Sequence, residues 1–272
     1  MGGLVKGIIM EIPFTFGIIT YADEGVNDHL LKAIESIRVL KIPEYEILIV
    51  GHKGKLDAHP KTSEKNKDVR IINFDDTIRP KWITKKKNLI TKHAKYNNIV
   101  YQHDYITFDK NWYNGFKKFG TEWHVCMNKI QNNDGTRYRD WVLFPYHLVW
   151  HRPKTKNLWD YVGIKNNRSM LPYDEKRFTK WQYISGAYWV AKKIVMQEFP
   201  LDEKLLWGQG EDCVWSLEVM KRYNFTMNQH STVHLLKFHN PAFSPLTPEC
   251  YKKLDEYWKK NITGKNDKGN PI

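Results

Sequence analysis

The sequence predicts an α/β fold with a mostly parallel sheet and helices on both faces, and three observations predict it. Apolar, β-rich runs recur at residues 14–20, 46–50, 69–74 and 99–102, with two stretches of helical spacing between them. The second run is continuously apolar, as expected of a strand buried on both faces. The resulting β-α-β-β-α-β order is that of a Rossmann-like sheet, whose ligands collect at the carboxyl ends of the strands.

Each element has its own justification. The first strand gives way to a polar turn, Tyr21-Ala22-Asp23-Glu24-Gly25. Asn27 or Asp28 can cap a helix whose apolar face is Leu30, Leu31, Ile34, Ile37, Val39 and Leu40, and Pro43 marks its end. Residues 82–96 have helical spacing through Ile83, Leu89, Ile90 and Ala94. From 111 to 180 the pattern weakens into aromatic, proline-broken segments, including 141–150 and 157–173. Residues 183–191 read as a strand carrying Ser185-Gly186-Ala187, and a helix is expected from Asp212 to about Tyr223. Two strand-like pieces, 226–229 and 232–238, end at His239-Asn240-Pro241. A proline-bearing linker then leads to a short amphipathic C-terminal helix at about 248–260, and the tail from 264 is expected to be disordered.

At 272 residues the chain can bury a substantial core. Its formal charge of +13 implies attraction to a polyanion: nucleic acid, an acidic membrane surface, or a phosphate-bearing substrate. Nucleic acid is the weaker expectation, because no recognition motif is present and the basic residues are spread along the chain. Peripheral contact with an acidic membrane stays compatible with the charge. Lysine runs such as Lys85-Lys86-Lys87 read first as solvated faces. Cys126, Cys213 and Cys250 are too few and too scattered for a disulfide framework or a zinc site. With no apolar run approaching a membrane span and no signal-peptide pattern, a reducing, cytoplasmic setting is the expectation.

The most informative string is Trp207-Gly208-Gln209-Gly210-Glu211-Asp212. Two glycines allow close backbone approach to a ligand, and the tryptophan offers a flat apolar face. The carboxylates then open a helix, where unpaired N–H groups stabilise the anion. Such a group suits a general base acting on a neutral hydroxyl; the plainer reading is an acidic helix cap after a glycine turn. A second constellation, His103-Asp104-Tyr105, stands where the fourth strand ends. A third is His234 to His239, on or just after a late strand, with Lys237 between the two histidines.

The W-G-x-G-E-D string resembles the acceptor-side motif of inverting GT-A glycosyltransferases, such as the W-G-G-E-D of animal galactosyltransferases. Lys87-Asn88, Ala94 and Ile99-Val100-Tyr101 are similar in spacing to the helix and strand that lead into the D-x-D motif of family 2 glycosyltransferases. Thr20-Tyr21-Ala22-Asp23 resembles that family's nucleotide-holding turn, and Ser185-Gly186-Ala187-Tyr188 its small-residue strand under the donor sugar.

The resemblance implies a GT-A domain over 1–240, with a donor half at about 12–110 and a less regular acceptor half at about 111–240; residues 241–272 form linker, helix and tail. It implies a metal-dependent, inverting transfer from a nucleotide-diphosphate sugar, expected to be a UDP-sugar, to a hydroxyl of a glycan or glycoconjugate. Asp212 would be the base and Glu211 would orient the acceptor, with Trp207, Gly208 and Gly210 beside it. Thr20, Tyr21, Asp23, Asp75, Lys87, His103, Asp104 and Gly186 would bind the donor. Mn2+, or Mg2+, would be held by Asp104 with His234 or His239. The chain departs from the family pattern in two places. Only one carboxylate stands in the D-x-D position, and the second strand ends in Val50-Gly51-His52-Lys53 where the family has acidic base contacts. Asp75 and Asp76 could take over those contacts or could simply cap a turn. The rival readings are a catalytically weak GT-A-like domain that binds glycans and a basic nucleic-acid-binding protein.

Overall fold

The computed structural model describes residues 11–21, 28–52, 68–143, 169–176 and 182–239, with parts of 244–256. Four strands form the first part of the sheet: β1 (Phe14–Ile19), β2 (Tyr45–Val50), β3 (Val69–Ile72) and β4 (Asn98–His103). They lie in the order β3-β2-β1-β4, all parallel. The order reverses beside β1, so a crevice opens at the carboxyl ends of β1 and β4.

The sheet continues through strands of the second half. These are β5 (Ile106–Phe108), β6 (Val125–Gln131), β10 (Tyr188–Lys192) and β11 (Phe225–Leu235), giving the eight-stranded order β3-β2-β1-β4-β10-β6-β11-β5. β10 runs antiparallel to both β4 and β6. A small second sheet contains β7 (Val142–Leu143), β8 (Ser169–Met170), β9 (Gln182–Tyr183) and β12 (Ser244–Pro245).

Helices α1 (His29–Arg38), α2 (Ile83–His93), α3 (Trp112–Phe119), α4 (Lys193–Glu198) and α5 (Glu211–Val219) complete the described elements. Strand alternation assigns the faces. Phe14 and Phe16 pack on Trp112 of α3, at 5.0 and 5.5 Å between ring centroids. Gly17, on the opposite face, lies so close to Ile90 of α2 that a Cβ would collide with it.

Asp28 occupies the N-cap position of α1 but makes no capping hydrogen bond with its side chain. The differences are local. The expected strand over 183–191 is two strands in two sheets, β9 and β10, separated at residues 184–187. The two late pieces are one strand, β11, whose register against β6 shifts between Asn228 and Thr232. The weak region from 111 holds α3 and β6. Gly115 obscures the helical pattern of α3, yet it sits where a Cβ would strike the backbone of His230. Residues 248–250 are helical; most of the expected C-terminal helix, the tail and much of 141–180 lie outside the described residues. Among the described residues the three cysteines are unbridged, and no helix is long and apolar enough to cross a membrane.

Candidate active site

α5 begins immediately after two left-handed glycines, Gly208 (φ 80°) and Gly210 (φ 74°). A side chain at either would strain the turn that points the helix start inward. Glu211 and Asp212, its first two residues, are both buried. Asp212 Oδ2 accepts the Gly186 N–H at 3.0 Å, and Oδ1 accepts the N–H of Cys213 at 2.9 Å. A Cβ built on Gly186 would stand 3.0 Å from Asp212 Oδ2 and 3.1 Å from Glu211 Oε1. Both carboxylates therefore converge on one glycine, and a side chain there would have to push them aside by a few tenths of an ångström. Burial pushes the Glu211 pKa up, repulsion from Asp212 adds to that, and Lys87 opposes it.

The lysine run is not a solvated face. Lys86 and Lys87 are wholly buried, within the sheet-facing stripe of α2 that includes Ile83, Ile90 and Thr91. Lys87 Nζ donates to the Gly186 carbonyl at 2.7 Å and lies 4.4 Å from the Trp189 ring centroid. Burial pulls its pKa down to about 8, against the attraction of Glu211 and Asp212. Lys86 Nζ donates to the Thr20 carbonyl at 2.5 Å and stands 4.0 Å from the ring centroid of Tyr21.

At the crevice, His103 ends β4 and Asp104 follows it, both buried. Burial holds the His103 pKa well below the usual imidazole range, helped by Lys87, Lys237, Lys86 and His239. Rings continue outward from it: His103 to Tyr105 at 5.1 Å, Tyr105 to His239 at 5.4 Å, His239 to Tyr138 at 5.5 Å. His239 Nε2 is buried and makes no hydrogen bond among the described residues. Burial lowers its pKa, with Lys237 and Arg139 adding to the effect, so the ring stays neutral. His234 instead faces Asp109, with Nε2 4.0 Å from Oδ2. Among the described residues no group of three His, Cys, Asp or Glu side chains is arranged to hold an ion by itself.

The remaining expected residues are more scattered. Thr20 is buried, and its hydroxyl donates to the His52 carbonyl at 2.5 Å. Asp75 closes a turn, accepting the N–H of Thr77 at 2.9 Å and its hydroxyl at 2.5 Å. Asp23 lies outside the described residues. Trp207 is 58% exposed, with Lys81 Nζ 5.0 Å from its ring centroid.

Arg139 is the residue that the sequence did not announce. Its backbone is left-handed (φ 34°), and its guanidinium is buried, with Nη2 3.4 Å from the Tyr183 hydroxyl. Burial works against its charge, while Tyr183, Tyr138 and Asp212 hold the group protonated. A left-handed arginine beside a carboxylate pair has no signature in a single sequence.

This arrangement is that of the GT-A glycosyltransferase fold. No protein-family model matches the sequence, and no curated protein matches it. Among solved structures, S. aureus TarS residues 1–349 superposes with a TM-score of 0.53 at 12% identity, covering 93% of this chain and 66% of that one. The same protein has been solved in complex with UDP-GlcNAc. GalNAc-T7, solved with UDP, GalNAc and Mn2+, superposes with a TM-score of 0.54 at 16% identity, covering 91% of this chain and 49% of that one. The chain thus spans about two thirds of the TarS 1–349 chain and about half of the GalNAc-T7 chain.

Proposed function

We propose that the chain is an inverting glycosyltransferase that moves a sugar from a nucleotide-diphosphate donor, a UDP-sugar, to a hydroxyl of a glycan or glycoconjugate. One observation carries the reading: a buried carboxylate pair opens α5, with Asp212 fixed by the Gly186 N–H at 3.0 Å, in a GT-A sheet. Asp212 takes the acceptor's proton as its oxygen attacks the anomeric carbon, a role of about 10²–10⁴-fold in rate. Glu211 hydrogen-bonds the acceptor, and its raised pKa lets it act as a donor over a wider pH range. Trp207 offers a face to the acceptor sugar, which orients it and lowers the entropic part of the barrier.

The donor occupies the crevice lined by Thr20, Tyr21, His103, Asp104 and Gly186. The residues there fit a divalent cation that draws its other ligands from the diphosphate. Asp104 and His239 would hold it, because the His239 ring is neutral and its buried Nε2 is not otherwise engaged among the described residues. Manganese suits this oxygen-and-nitrogen pair better than magnesium. Such a cation would stabilise the charge on the departing diphosphate.

The test is a panel of nucleotide sugars assayed for hydrolysis and transfer with Mn2+ or with chelator, followed by the anomeric configuration of the product. Turnover of one donor with inverted product supports the reading. Glycan binding without donor turnover by any sugar would replace it with the binding-domain alternative.

A further inference from the structure

Resting on the reading of Asp212 as the base, we propose that Lys87 is a positioning residue for the carboxylate pair and not a ligand of the donor's phosphates. The Gly186 peptide is held from both sides. Its carbonyl accepts from Lys87 Nζ at 2.7 Å, and its N–H donates to Asp212 Oδ2 at 3.0 Å. Lys87, Gly186 and Asp212 thereby form one hydrogen-bonded line from α2, across the turn before β10, to the first turn of α5.

Three features fix the lysine in that role. The side chain is wholly buried, and an unpaired ammonium there would be strongly disfavoured. Its Nζ lies over the Trp189 ring at 4.4 Å, and Trp189 stacks on Tyr101 of β4 at 4.9 Å, so the ammonium stands on a rigid aromatic floor. The nearby counter-charges are Glu211 and Asp212, which favour the ammonium, while Lys87 in turn favours the ionised Glu211. Gly186 is then a glycine because a Cβ would press on both carboxylates at 3.0 and 3.1 Å.

A phosphate ligand and a positioning residue divide the kinetics differently. Lys87→Met keeps the unbranched stem and removes the charge. The expected result is a fall in kcat of about tenfold or more, with UDP affinity by calorimetry in Mn2+ unchanged within about threefold. Carboxyl ¹³C titration should show Glu211 moving to higher pKa, since repulsion from Asp212 loses its nearest opposing cation. A large loss of UDP affinity with the Glu211 titration in place would overturn the proposal. Should Lys87→Met fail to fold, Gly186→Ala tests the other end of the line. It crowds the pair and leaves Lys87 charged, so kcat should fall; an undiminished kcat would overturn the proposal. Asp212→Asn separates the two ideas. Full activity there removes the base reading, whereas the Glu211 titration in Lys87→Met still decides where the lysine acts.

Discussion

Lys86 and Asp76 form an ion pair at 2.6 Å in which the lysine side chain is wholly buried and the aspartate 18% exposed. With Nζ also on the Thr20 carbonyl, this side chain ties the end of β1 to the loop after β3. Asp76 is accordingly occupied in holding the crevice wall. Removing one partner of a buried pair costs about 3–5 kcal/mol, because the other charge is left uncompensated. Asp76→Asn strands the fully buried ammonium, and Lys86→Met strands a carboxylate whose two oxygens are both shut off from solvent. Urea unfolding should therefore show a loss of about 3 kcal/mol for either variant. An undiminished stability in Asp76→Asn would mean that Lys86 is held by Thr20 and Tyr21 alone.

Asp212→Asn should lower the rate of sugar transfer by about 10²–10⁴-fold with UDP affinity nearly unchanged. The amide is the same size, but its single oxygen can accept only one of the Gly186 and Cys213 N–H groups that Asp212 holds with its two oxygens, so the unfolding free energy should fall by about 1–3 kcal/mol. The amide cannot accept a proton at neutral pH. Near-normal turnover would reduce Asp212 to a structural residue of the first turn of α5.

The two late histidines should differ. His239 lies among the rings that lead from His103, with a buried Nε2, while His234 faces Asp109. Loss of even an outer-sphere partner weakens metal binding by about 10–100-fold, so His239→Ala should raise the Mn2+ needed for UDP binding by at least about tenfold. His234→Ala should leave that requirement unchanged. Manganese-dependent fluorescence quenching or calorimetry reads both, and equal effects would remove the distinction.

Trp207→Ala should raise the acceptor KM while sparing UDP affinity and stability. The ring is exposed and its cation partner Lys81 is a surface contact. An unchanged acceptor KM would assign the sugar-binding face elsewhere.

Much of the donor half was legible because its strands are continuous apolar runs bounded by turn residues; β1, β2 and β4 match their expected spans within about two residues. The glycine turn of the W-G-x-G-E-D string and the helix that its carboxylates open were legible because glycine spacing and paired carboxylates leave a local mark. Long-range geometry did not. Lys85-Lys86-Lys87 looks like a solvated run, since sequence periodicity cannot tell a buried ammonium over an aromatic ring from one in water. The single reading of 183–191 as one strand failed at residues 184–187, where the chain leaves one sheet for the other. Arg139 carries no pattern at all, because its importance lies in a left-handed backbone and a partner 73 positions later, Asp212.

The buried lysine also predicts a pH dependence of stability. Lys87 titrates at about 8 in the folded chain against an ordinary value of 10.5. Between those values the unfolded chain binds the proton and the folded chain does not, so this residue's contribution to stability rises with pH. Below about 8 both states are protonated, and the fold carries the whole cost of the buried ammonium. The gap from 10.5 to about 8 corresponds to about 3 kcal/mol. Other groups work in the opposite sense: burial pushes Cys126 up to about 12 and raises Tyr101 and Tyr188, which removes stability at high pH. Those groups are common to wild type and Lys87→Met, so the difference between the two isolates the lysine. Unfolding free energies measured from about pH 8 to about pH 10.5 should shift in favour of wild type relative to the variant by about 3 kcal/mol. A flat difference would mean that the ammonium keeps its proton throughout, held by Glu211 and Asp212 more strongly than burial opposes it.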